Sequence, residues 1–371
     1  MKIICLQENL RAALSLAERI IGKNLSLPIL NNVLLKIEKG FLKISSTNLE
    51  IGLHVWVPGK VEREGEVSIR AKLLSEYINN LPEGKVTLDA KNNKLQVKSD
   101  QFKATLLGIE TKEYPIIPAL KEKKSYIEFQ ATTLQESLQQ VINAASISDN
   151  RLELNGIFFR IGKMVIKIAA TDTFRLAEKT ITDAIIHFGI GKEEEIKCIL
   201  PYRTAQELLK ILEGKEKVKM YLHENQCFFE TENVYLVSRL IEGDYVDYEQ
   251  IIPKGFKTKI HLQKQELMNA IKLSALFSSK INDIKITTNK KNSLLEVSAK
   301  DFELGENISE VPAKIEGEDV EILFNARQLL DGLSNLKENE VTFEMNDKHQ
   351  PGFLRSQAQR DYFYIIMPLN I

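Results

Sequence analysis

A carboxylate beside a hydroxyl at the end of an apolar strand is an arrangement that acid–base or nucleophilic chemistry can use, and Thr171-Asp172 in KIAATDTFRLA (167–177) presents one. The same pair also suits a tight turn, because Asp and Thr side chains bond backbone N–H groups one or two residues further on. The chain itself favours the turn. SSTNLEI and SAKDFEL end strands at matching points, which sets Asn48, Asp172 and Asp301 in one register. The residues before them (Thr47, Thr171, Lys300) differ, so a chemistry common to the three positions has no common partner. Nothing else gathers into a constellation. His54, His187, His223, His261 and His349 are scattered without metal-ligand spacing, and the chain has no glycine-rich phosphate loop, H-E-x-x-H or G-x-S-x-G. A two-metal nuclease needs several carboxylates together, and Asp172 offers one. The expectation is a protein without catalysis, metal or cofactor.

The elements that carry these residues repeat three times. KIICLQENLRAAL, YIEFQATTLQESL and KIHLQKQELMNAI each read as a short strand, a glutamine (Gln7, Gln130, Gln263) and a helix. Leu10/Leu14, Leu134/Leu138 and Leu267/Ile271 stand four apart, so each helix packs one face onto a sheet. Two strands follow in every copy, then a second strand and helix (VSIRAKLLSEYINNL, CILPYRTAQELLKIL, ILFNARQLLDGLSNL), then a hairpin of alternating polarity. Asn92-Asn93 and Glu224-Asn225 fit the hairpin turns. The predicted class is α+β, with three tandem domains, each carrying two helices on antiparallel sheet. Proline fixes φ and suits a boundary, and the seams YPIIPALKEKKS (114–125) and YEQIIPKGFKTK (248–259) share Ile-Ile-Pro before lysines. The domains are therefore set at 1–118, 119–253 and 254–371.

Composition agrees with a globular chain. Of 371 residues, 43% are apolar and 27% charged, with 50 basic against 51 acidic residues. A net charge of −1 argues against a broad basic face, though not against charges sorted between surfaces. No apolar run reaches membrane-span length, and the opening MKIICLQENL has no signal-peptide layout. Cys5, Cys198 and Cys227 lie far apart, which suits a reducing cytoplasm.

LPILNNVLLKIEKGFLKISSTNLEIGL, LNGIFFRIG, AATDTFRLAEK, SRLIEGDYVDYEQIIPK and the terminal YIIMPLNI resemble, in order and spacing, the bacterial DNA polymerase III beta subunit, the sliding clamp. The resemblance runs the full length. It implies three clamp-fold domains per chain, half of a six-domain ring in which a homodimer encircles duplex DNA. The implied function is processivity without catalysis. The implied partners are sequence-nonspecific duplex DNA, the polymerase III alpha subunit with other replicative or repair polymerases, and the clamp loader, with no membrane.

The resemblance also implies sites. A peptide-binding pocket would take Leu154, Thr171, Phe174, Arg175, Leu176, Val246, Ile251, Ile365, Met367, Pro368 and Leu369. Apolar and adaptable side chains in a shallow slot can bury a partner's anchor residues. Phe174 stands where the family commonly has His, Val246 where Pro is usual, and Asn370 where a basic residue is common, so the preferred peptide should differ. Lys23, Lys72, Arg151, Arg203, Lys210, Lys272 and Arg327 would face DNA, together with Arg11 on the first helix. Lys72, Arg203 and Arg327 share one slot at the start of the second helix, where they would meet phosphate without reading bases. Phe102, on the edge strand 101–107, would pack on Leu276 and Phe277 of the other chain. A repeat scaffold that binds peptides and ignores DNA is the alternative; retention on circular against linear DNA separates the two.

Overall fold

The computed structural model describes residues 1–371 apart from 23–26, 121, 124, 149–150, 188–194 and 371. Six α-helices are present among the described residues: α1 (Gln7–Ile20), α2 (Ala71–Asn79), α3 (Ala131–Ile142), α4 (Tyr202–Ile211), α5 (Lys264–Ala275) and α6 (Ala326–Ser334). The apolar pairs four apart on α1, α3 and α5 are all buried. At about 1.5–3 kcal/mol per buried leucine or isoleucine, these faces hold the helices down more firmly than helix propensity does.

Each helix begins on the residue after a strand, with no connecting loop. There is then little room for a polar capping residue, yet the first N–H groups need acceptors. Loop carbonyls supply them. Gln7, Ala131 and Lys264 donate to the carbonyls of Gly84, Glu216 and Asn339 at 2.7–2.9 Å, one in each repeat, and Tyr202 and Ala326 donate to those of Asn155 and Asn282. At α6 a side-chain cap is added, with Asn325 accepting from the Gln328 N–H at 3.1 Å.

The chain divides into two compact units. The first comprises Met1–Gln135, Asp183–Glu193 and Arg203–Leu240; the second comprises Glu136–Thr182, Glu194–Tyr202 and Ile241–Ile371. Each is organised on one antiparallel sheet, of fourteen strands in the first unit and twelve in the second. The reason is edge pairing across the repeats. In the first unit, Val234–Arg239 of the middle repeat pairs with Ile51–Pro58 of the first. In the second, Arg175–Ile181 of the middle repeat pairs with Tyr362–Ile366 of the last. The middle repeat thus gives strands to both sheets, and two edges that would otherwise be unpaired are closed. Helix contacts reinforce both joints. Arg19 Nε meets Glu207 Oε2 at 2.6 Å from α1 to α4, and Gln140 and Asn335 exchange side-chain amide to backbone carbonyl bonds between α3 and the end of α6.

On the sheet of the first unit, His54 bonds Ser45 Oγ through Nδ1 at 2.8 Å and lies between Trp56 and Tyr235. Burial pushes its pKa down to about 4. The unfolded chain therefore binds this proton more readily, and His54 contributes stability fully above pH 6.5 that is lost as the pH falls towards 4. The loss is on the order of 2–3 kcal/mol. Chemical denaturation between about pH 7 and pH 4.5 should show it, and His54→Gln should flatten that acid limb. An unchanged limb in the variant would assign the acid sensitivity elsewhere.

Candidate functional site

The register expected at Asn48, Asp172 and Asp301 is present, and all three side chains do the same work. Asn48 Oδ1 accepts from the N–H groups of Glu50 and Ile51, Asp172 Oδ1 from Phe174 and Arg175, and Asp301 Oδ1 from Glu303 and Leu304, at 2.7–3.0 Å. These are turn-forming carboxyl and amide groups with their acceptor capacity directed at backbone. The preceding threonines add a second matched bond: Thr47 and Thr171 hydroxyls donate to the carbonyls of Ile51 and Arg175. Asp172 has one further task, since its Oδ2 holds Arg175 Nε at 3.0 Å, and Asp331 pairs with the same guanidinium. Nothing in this arrangement leaves a hydroxyl free for attack. Burial also raises the Cys5 and Cys198 thiols to about 12, which keeps them out of thiolate chemistry. No group of three or more metal-ligating side chains is present among the described residues.

The turn places Phe174 on the surface, 60% exposed, and sends Leu176 into the sheet. Leu176 pairs with Ile365, and both belong to an apolar cluster with Phe158, Ala169, Ile199, Tyr248 and Phe353. The connector after Ile241 crosses this cluster, with Tyr245, Val246 and Ile252 packed against it and half-buried. Tyr248 hydroxyl donates to the buried Glu178 at 2.7 Å, and Arg160 and Lys167 hold Glu249 at 2.9 and 3.2 Å. Tyr245 hydroxyl accepts from the Thr171 N–H at 3.0 Å. The connector is therefore a strap fastened on both sides of Val246, and Ile251 follows the second fastening. Pairing with Lys167 is the main influence holding the Glu249 carboxyl below its ordinary range. On the far side the C-terminal segment is pinned by backbone: Met367 N–H to the Phe174 carbonyl and Leu369 N–H to that of Leu323, both 2.8 Å. Met367 and Leu369 stay half-buried, Pro368 is buried, and Ile251 is exposed.

Of the pocket residues expected from sequence, Leu176, Val246 and Ile365 meet in one cluster, and Thr171, Phe174, Arg175 and Met367 are tied to them by the turn and its bonds. Leu154 is buried but is not a member of that cluster. Sequence reasoning misses Phe158, Tyr245 and Tyr248, although Phe158 stacks on Tyr245 at 4.8 Å and forms the floor under the strap. The aromatic doublet in LNGIFFRIG and the two tyrosines of DYVDYEQ are the available signals.

Lys72, Arg203 and Arg327 each occupy the second position of their helix, as the repeat requires. Lys72, Arg203 and Arg327 are all exposed. Lys72 approaches Glu76 at 3.8 Å, Lys210 meets Glu213 at 2.8 Å and Arg151 meets Glu153 at 2.9 Å. Arg203 differs from its counterparts, because Nη2 donates to the Ile20 carbonyl at the end of α1. Lys272 and Arg11 are exposed on α5 and α1. Lys23 lies outside the described residues. Phe102 is exposed on the strand Phe102–Ile109, Leu276 is exposed immediately after α5, and Phe277 is half-buried.

Three family models of one protein match in succession: the DNA polymerase III beta subunit N-terminal domain over residues 1–118, its central domain over 128–247 and its C-terminal domain over 249–370. The beta sliding clamp of Synechococcus elongatus is 28% identical with both chains covered in full, and that of Bacillus subtilis is 25% identical with 94% of each covered. Among solved structures, a putative DNA polymerase III beta subunit from Eubacterium rectale superposes with a TM-score of 0.91 at 26% identity, over 100% of this chain and 99% of that one. The Bacillus subtilis sliding clamp shares the fold at a TM-score of 0.93 and 23% identity, over 100% and 99%. Triplicated helix pairs on sheets that continue across the repeats, with an apolar cluster under a surface turn and no metal-ligating group among the described residues, define a clamp-fold protein. The chain belongs to the DNA polymerase III beta subunit family, the bacterial sliding clamps. The family consists of non-catalytic processivity factors, and the chain is not an enzyme.

Proposed function

We propose that two copies of this chain close a ring of six domains, taken at 1–118, 119–253 and 254–371, around duplex DNA in the cytoplasm. The ring tethers the polymerase III alpha subunit and other polymerases through the groove at Leu176, Val246, Ile365, Met367 and Leu369, and is placed on DNA by the clamp loader. The observation that carries this reading is a pair of complementary open edges. Phe102–Ile109 pairs with Lys94–Ser99 along its length but reaches Glu66–Arg70 only at Gly108 and Ile109, so residues 102–107 keep one edge open. Gly305–Gly317 pairs with Leu294–Asp301 over 305–312 but with Thr258–Gln263 only from Ala313 onward, so 305–312 also keep an edge. The first edge carries Lys103 with exposed Phe102 and Leu107; the second carries Glu306 and Glu310 with exposed Ile308, and Leu276 lies exposed after α5. Opposite charge with apolar surface on two unpaired strands is what a two-fold interface between copies requires.

Retention by enclosure needs only weak, sequence-blind contacts to phosphate. Among the exposed cations of the helices, Lys72, Lys272 and Arg327 are assigned this role first; Arg203, also exposed, gives Nη2 to the Ile20 carbonyl. Replacing all three by Glu should weaken loading on nicked circular DNA and flatten its salt dependence. About 0.9 of the log–log slope should disappear for each phosphate that is no longer neutralised. Binding of a polymerase-derived peptide should not change. A slope equal to that of the unmodified protein would remove these residues from the DNA-facing surface. A protein that held short linear duplex as firmly as a closed circle would contradict enclosure itself.

A further inference from the structure

The two joints between repeats are built alike, yet their connectors are buried to different depths. The strands pair in the same register: Thr47 opposes Gly52 as Thr171 opposes Leu176, and Val237 opposes Gly52 as Ile365 opposes Leu176. The connectors match as well, with Ile116-Ile117-Pro118 in the first and Ile251-Ile252-Pro253 in the second. Gly52 therefore holds the place of Leu176, a buried member of the apolar cluster beneath the proposed docking groove. A Cβ at Gly52 would lie 2.5 Å from Ile117 Cγ2 and 3.0 Å from Val237 Cγ1, so the space a side chain would take is already filled by the connector. Ile117 is 9% exposed within a cluster of Tyr221, Phe228, Tyr235 and Val237, whereas Ile252 is only half-buried. Where Leu176 fills the floor, the connector cannot sink as deeply and apolar surface stays open.

We infer that the first joint is a docking groove closed by its own chain, with Ile117 seated over Gly52 as a permanent internal occupant, so that the Gly52/Leu176 difference limits each chain to one groove for partners. The inference rests on the docking role proposed for the second joint. It makes Gly52 and Ile117 specificity-determining residues although neither touches a partner. It also accounts for a glycine at a strand position paired on both sides, where glycine otherwise weakens a sheet.

The single tryptophan, Trp56, packs against the Ile117 cluster and reports on this joint alone. The probe is the apolar dye bis-ANS, read by energy transfer from Trp56 and by total dye fluorescence. In the unmodified protein, dye should bind at the second joint and be displaced by a peptide of the polymerase III alpha subunit, with little transfer from Trp56. Ile117→Ala should add a site that the peptide does not displace and that quenches Trp56 strongly; Ile252→Ala should not. Gly52→Ala, which expels the occupant instead of deleting it, should give the same transfer. It should also lower the melting temperature by several degrees more than Ile252→Ala does. Strong peptide-insensitive transfer in the unmodified protein overturns the inference, as does its absence in both Ile117→Ala and Gly52→Ala. The peptide arm is separate: dye that the peptide fails to displace from the second joint counts against the docking reading and removes the basis of the inference.

Discussion

Aspartate at both Phe102 and Leu107 should convert the protein to a monomer and abolish its retention on circular DNA. Phe102 is 43% and Leu107 73% exposed on an edge open to pairing. Each forfeits on the order of 1.5–3 kcal/mol of burial when an apolar side chain is replaced. The new carboxylates would also face Glu306 and Glu310, adding like-charge repulsion. A two-fold dimer repeats the contact at both joints, so the penalty is doubled. A rise in dissociation constant of roughly a thousandfold or more follows from about 4 kcal/mol, and larger effects are expected. Sedimentation velocity at micromolar concentration gives the mass directly. A variant that stays dimeric and remains on circular DNA would place the interface on other surfaces. The individual chain should keep its melting profile, because both residues are already solvent-facing.

Met367→Ala with Leu369→Ala should weaken binding of a polymerase-derived peptide by about 5- to 30-fold, at roughly 1–2 kcal/mol for the pair of truncated side chains. The fold should tolerate the change, since both residues are anchored through backbone N–H groups that the substitution does not alter. Leu176 and Ile365 are poorer test positions. They are almost wholly buried, and removing either would leave a cavity costing about 2–5 kcal/mol before any partner is considered. Fluorescence anisotropy with a labelled peptide reads the affinity, and loading on circular DNA serves as the internal control. Equal affinity in the double variant would move the docking surface away from the C-terminal segment.

The parts of this molecule governed by local rules are readable in the chain. Apolar residues four apart set which helix faces are buried, and Asn92-Asn93 make the hairpin with φ of 52° and 57°, as a tight turn demands. Repetition decides the meaning of Asp172: three turns with identical backbone donors outweigh a catalytic reading of one. The proposed groove is reached through resemblance, because the cluster beneath it draws on a turn, a connector and the last strand, which share no local pattern. The continuation of each sheet from one repeat into the next is not legible, since strand pairing is a non-local choice that edge composition alone does not specify. Nor can the capping of helices by Gly84, Glu216 and Asn339 be read, because a backbone carbonyl carries no side-chain signature. Arg203 illustrates the same limit: its slot follows from the repeat, but its bond to the Ile20 carbonyl depends on where α1 ends.

The middle repeat lends strands to both sheets, and that has a price for modularity. Cutting away the first repeat would bare the strand Val234–Arg239, and cutting away the last would bare Arg175–Ile181, each a mostly buried ribbon with a vacant hydrogen-bonding flank. Fragments of either kind are primed to aggregate. Although the chain reads as a triplet, its members are no longer interchangeable parts: a truncated or shuffled version carries a wound where its neighbour was, and the whole length must be inherited together.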